Sequence, residues 1–110
     1  MAVTAAKIQA LVELELTGLR DDLLASRVRS LLVPPQIKML EWDYGEPEQT
    51  YPCWSVLNQR ERNVGIVYSE FGFGPERPWG LVWLSGAHTG IGMDSGWFDT
   101  FMDAFTDLEA

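Results

Sequence analysis

The spacing of apolar residues changes midway along the chain, and this change limits the fold more than any other feature. In the first third, apolar residues recur at steps of three and four, which is the period of a helix. They are Ile8, Leu11, Val12, Leu16, Leu19, Leu23, Leu24, Val28, Leu31 and Leu32. From Cys53 onward, apolar and polar residues alternate with the period of a strand. The pattern predicts an α+β fold in which N-terminal helices precede a sheet.

The helical third is predicted to break near Gly18. Glycine costs about 1 kcal/mol relative to alanine inside a helix and is favoured just past a helix end. Asp21 and Asp22 would then lie in the first turn of a second helix, and Arg27 and Arg29 in its last turn, which the helix dipole favours. Two prolines at positions 34 and 35 end this helix.

Two alternating segments predict a β-hairpin. They are CWSVLNQ, residues 53–59, and VGIVYSEF, residues 64–71, joined by the polar turn RERN. In the first segment we place Trp54 and Val56 on one face of the strand, and Cys53, Ser55 and Leu57 on the other. Residues 36–52 are predicted to be a connection, with a short apolar patch where a strand would open it.

The remaining elements complete a three- to four-stranded antiparallel sheet, a hairpin plus meander, with a C-terminal helix packed on it. The apolar run GLVWL, residues 80–84, predicts a strand that is covered on both faces. A further short strand is expected around Ile91, and a helix over residues 97–108. The predicted exposed face of that helix carries Asp99, Asp103 and Asp107 at four-residue steps.

Length and composition predict one cytoplasmic domain, residues 1–110. No apolar run has the roughly 18 residues that a membrane span needs, so no membrane association is expected. Cys53 is the only cysteine, which excludes an intrachain disulfide and a zinc site built from cysteines of this chain.

The charge of the chain is acidic and unevenly distributed. The formal net charge is −8, and every charged residue from Glu41 to Glu48 and from Asp94 to Glu109 is acidic. Such a surface repels a phosphate backbone, so no nucleic-acid binding is expected. It attracts a basic protein partner.

The loop EFGFGPERPWG, residues 70–80, is rich in glycine, but its pattern does not fit nucleotide binding. Arg77 stands where a phosphate-binding motif has its third glycine, and Pro75 removes a backbone donor. We predict a rigid loop that presents side chains to a partner, with the alternative that its rings plug the end of the sheet. The presented side chains are Phe73, Glu76, Arg77 and Trp79.

The residues that suggest catalysis or metal binding each have a plainer interpretation. Cys53, His88 and Asp94 supply the residue types of a thiol enzyme, but a cysteine in a strand is usually a buried apolar residue. Three aspartates on one helix face suit a hard cation, but a solvated face is the favoured explanation, and a docking surface for a basic partner is the remaining alternative. No metal or cofactor is therefore predicted.

The segments CWSVLNQRERNVGIVYSEFGFGPERPWGLVWL and IGMDSGWFDTFMDAF resemble small acidic bacterial proteins, among them immunity proteins of toxin systems. The resemblance implies a stable acidic cytosolic protein that occludes a toxin, commonly a basic nuclease, and it assigns no site residue. The expected function is a non-enzymatic protein-binding module that contacts its partner through Phe73, Glu76, Arg77, Trp79, Asp99, Asp103 and Asp107. The alternatives are a homodimer or other homo-oligomer paired through the N-terminal helices, and a small enzyme that uses Cys53.

Overall fold

The computed structural model describes residues 4–41, 50–70, 76–84 and 96–109. These residues form three helices and five strands. The helices are α1 (Ala5–Thr17), α2 (Asp22–Leu31) and α3 (Phe101–Glu109). The strands are β1 (Leu32–Glu41), β2 (Thr50–Gln59), β3 (Val64–Tyr68), β4 (Trp79–Trp83) and β5 (Trp97–Phe98).

The N-terminal third folds as two helices, with the predicted break at Gly18. The Thr4 hydroxyl caps α1 by accepting a hydrogen bond from the Lys7 amide, 3.2 Å away. The Asp21 carboxylate caps α2 by accepting from the amides of Leu23 and Leu24 at 3.0 and 3.1 Å. Short polar side chains therefore start both helices.

The sheet is antiparallel and follows chain order, β1-β2-β3-β4-β5. The α+β class is confirmed, and the described strands number one more than the upper prediction. The hairpin between β2 and β3 is also confirmed; its turn is the 3-10 segment Arg60–Arg62 followed by Asn63 with φ of 58°. Asparagine is one of the few residues that adopt this left-handed conformation readily.

The interpretation of residues 36–52 as mainly a connection is wrong at both ends. Strand β1 starts directly after α2 and runs through the two prolines, and β2 starts at Thr50. A proline cannot donate to a strand ladder, but β1 is an edge strand, where one side needs no donors. The pairing with β2 shifts register between Leu32 and Gln36, which is where the prolines lie.

A register shift in β2 also corrects the predicted facing of Leu57. The pairing between β2 and β3 is irregular between Ser55 and Leu57. An extra residue in a strand turns the following side chains to the other face. Leu57 therefore packs in the same cluster as Val56 rather than with Cys53.

The helices all pack on one face of the sheet. Each contributes buried residues to a single apolar cluster that also contains the inward side chains of β2, β3 and β4. Those helix residues are Ile8, Val12, Leu16, Val28, Phe101, Ala104, Phe105 and Leu108. The prediction that the C-terminal helix packs on the sheet is thus confirmed.

A smaller cluster lies on the opposite face of the sheet: Cys53, Val67, Val82 and Trp97. Gly80 allows the Trp97 ring to lie directly on the strand, because a Cβ at that position would be 2.6 Å from a ring atom. Strand β4 is not covered along its whole length as predicted, since the Trp83 side chain is 50% exposed.

The predicted helix over residues 97–108 begins four residues too early. Trp97 and Phe98 form β5, and α3 begins at Phe101. Trp97 packs on the Cys53 side of the sheet while Phe98 packs against the helix-side cluster. Successive side chains reach opposite faces only in an extended chain, which explains why these two residues are a strand. The strand expected around Ile91 lies outside the described residues.

Candidate partner-binding surface

Four exposed carboxylates lie beside the β5 edge of the sheet and are here called the acidic edge: Glu76, Asp99, Asp103 and Asp107. Within the described residues, no base is at ion-pair distance from any of them. Asp103 and Asp107 are one turn apart on α3, and Asp107 Oδ2 lies near Gly96, the residue before β5. Asp99 precedes α3, so the three aspartates do not form the single helical ridge that was predicted.

The pairing of β4 with β5 brings two sequence-distant groups of predicted site residues to one end of the sheet. Trp79 pairs with Phe98 in antiparallel register. Glu76 and Arg77, which precede β4, and Asp99, which follows β5, therefore leave the sheet at the same end. Arg77 is exposed and forms no ion pair with a described carboxylate.

Trp79 is placed differently from the prediction. It is the first residue of β4 rather than a loop residue, and its side chain is 3% exposed. The indole packs edge-on against Tyr68 and Phe101, with ring centroids 4.9 and 5.5 Å apart. So little of this side chain is exposed that it offers almost no surface to a partner, and it acts as a core residue at the end of the sheet. Phe73 lies outside the described residues.

Helix α3 is held at both ends, which fixes the direction of its acidic face. At its N-terminus, the Glu15 carboxylate of α1 accepts hydrogen bonds from the Phe101 and Met102 amides at 2.9 and 3.0 Å. The Thr100 hydroxyl accepts a third, from the Asp103 amide at 3.1 Å. These three amides are donors that an α-helix cannot satisfy internally.

The C-terminus of α3 is held by two arginines from elsewhere in the fold. Arg62 donates to the Leu108 carbonyl at 3.1 Å, and Arg27 donates to the Glu109 carboxylate. A cation at this position also interacts favourably with the helix dipole. The hydrogen bond from Arg27, strengthened by its charge, lowers the pKa of Glu109 below its ordinary value.

A buried tyrosine meets a carboxylate at the sheet end that carries Glu76 and Asp99. Tyr68 is 6% exposed, and its hydroxyl donates to Glu70 Oε2 at 3.0 Å. Burial, followed by the hydrogen bond and the negative charge of Glu70, raises the pKa of Tyr68 to about 12. The phenol therefore remains protonated well above neutral pH.

This tyrosine gives a pH prediction for stability. Above pH 10 a tyrosine in the unfolded chain ionises while Tyr68 in the folded chain keeps its proton, so the unfolded state holds fewer protons. The free energy of unfolding should therefore fall between pH 10 and 12, by about 3 kcal/mol at most. Urea titrations of wild type and Tyr68→Phe test this: the variant should lose less stability over the interval, and equal losses would contradict the assignment.

Cys53 is placed unfavourably for nucleophilic chemistry. Its side chain is fully buried, and this burial raises the pKa of the thiol, with a smaller opposing effect from a hydrogen bond to Ser69. A raised pKa reduces the thiolate fraction that would attack a substrate. The other two residues of that hypothesis, His88 and Asp94, lie outside the described residues.

Two features are absent from the residues that the structure describes. No group of three or more metal-ligating side chains there has an arrangement that would hold an ion. None of the helices there has the length and apolar character that crossing a bilayer requires.

The described part of the chain therefore has an α+β fold in which the helices cover one sheet face and the acidic edge flanks β5. No protein family, curated protein or solved structure was found to match this chain.

The sequence contains no signal for the carboxylate of α1 that caps α3 and so fixes the direction of its acidic face. Glu15 was not predicted to have a role, because its partners lie 86 and 87 positions away and no local pattern signals such a contact. The Tyr68–Glu70 pair was missed as well, although the predicted strand over residues 64–71 places these two residues on the same face.

Proposed function

We propose that the protein is a non-enzymatic acidic protein-binding module. In its most specific form it is an immunity-type inhibitor that covers a basic toxin in the cytoplasm. The observation that carries the proposal is the acidic edge, whose exposed carboxylates have no ion-pair partner within the described residues. The repulsion between like charges one helical turn apart is a small cost that a basic partner would remove.

Two properties of the acidic edge suit rapid capture of a basic protein. Its four carboxylates are part of the net charge of −8. The electrostatic field of a charged protein raises its association rate with oppositely charged proteins by about 10- to 1,000-fold. Its helix is fixed at both ends by Glu15, Arg27 and Arg62, so little conformational entropy is lost on binding.

The experiment starts from the products of the adjacent genes. Each is co-expressed with this protein and tested for co-purification and for growth arrest that this protein relieves. For a product that passes both tests, the association rate is measured at about 50 and 300 mM salt. A rate that falls with salt supports steering by opposite charges, and a rate independent of salt contradicts it.

A matched pair of variants locates the contact. Asp103→Asn with Asp107→Asn and Asp22→Asn with Glu61→Gln change the net charge equally, and all four residues are exposed. Only the first pair alters the acidic edge, so we expect it to reduce the association rate by about 3- to 10-fold at low salt. Equal effects of the two pairs would show that net charge alone matters.

A homo-oligomer is the second candidate, and two exposed leucines favour it. Leu14 on α1 is 72% exposed and Leu23 on α2 is 84% exposed. Large apolar side chains with this exposure on two helices suit pairing with a second copy. Light scattering decides this candidate: a mass of 12.4 kDa at high concentration contradicts it, and twice that mass supports it.

A further inference from the structure

We draw no further inference here: the strongest candidate, the apolar surface along the edge strand β1 that includes the half-exposed Ile37 and Met39 and the groove between α1 and the two prolines of this strand, carries none because nothing in the described residues shows what covers it.

Discussion

Replacing Phe101 by alanine is expected to lower the free energy of unfolding by about 3–5 kcal/mol. The side chain is fully buried at the start of α3, and its ring packs edge-on against Trp79. Its removal leaves a cavity where α3 meets the sheet, and the edge-on pair contributes about 0.5–1.5 kcal/mol in addition. Since domains of this size are stable by about 5–15 kcal/mol, much of the total would be lost.

Urea unfolding followed by circular dichroism measures this effect. The control is Thr106→Ala on the exposed face of the same helix, which should change stability by about 0.5 kcal/mol or less. If Phe101→Ala cost less than about 1 kcal/mol, α3 would not depend on this contact, and the described packing of the C-terminal helix would be wrong.

Replacing Glu15 by alanine is expected to cost about 3 kcal/mol. The carboxylate accepts hydrogen bonds from the Phe101 and Met102 amides, and bonds to a charged group contribute about 1.5–3 kcal/mol each. Its negative charge also interacts favourably with the positive end of the α3 dipole. Glu15→Gln retains one acceptor oxygen but no charge, so it should show roughly half the loss.

The matched control for Glu15 is Glu13→Ala on the same helix. Glu13 forms an exposed ion pair with Arg29, with N–O distances of 2.6 and 2.8 Å. Exposed ion pairs are worth about 0–1 kcal/mol, so this control should be nearly neutral. If Glu15→Ala and Glu13→Ala lowered the free energy of unfolding equally, the cap of α3 by Glu15 would contribute no more than an exposed ion pair.

The parts of the fold that the sequence predicted are those governed by local pattern. Helical spacing and the break at Gly18 defined α1 and α2, and alternation defined the β2–β3 hairpin. Strand β5 was missed because two adjacent apolar residues are too few to show a period of two. Strand β1 was missed in part because prolines normally argue against a strand, and only its position at the edge permits them.

The candidate sites depend on contacts between residues that are distant in sequence. The exposed positions of Asp99, Asp103 and Asp107 were predicted, but their arrangement depends on where α3 begins. Trp79 was assigned to the loop because its neighbours are Pro78 and Gly80, whereas its pairing with Tyr68 and Phe98 places it in the core.

The contact between Glu15 and α3 also affects when the chain can fold. Glu15 lies 86 residues before the first amide that it caps, so a growing chain has α1 long before it has the partner for this carboxylate. A contact across a loop of this length forms late in folding. Closing the loop costs conformational entropy, which the contact offsets only once it has formed. During synthesis on a ribosome, the apolar faces of the N-terminal helices would stay incompletely covered until α3 emerged. The protein therefore completes its core after the C-terminal helix is synthesised, rather than in the order of synthesis.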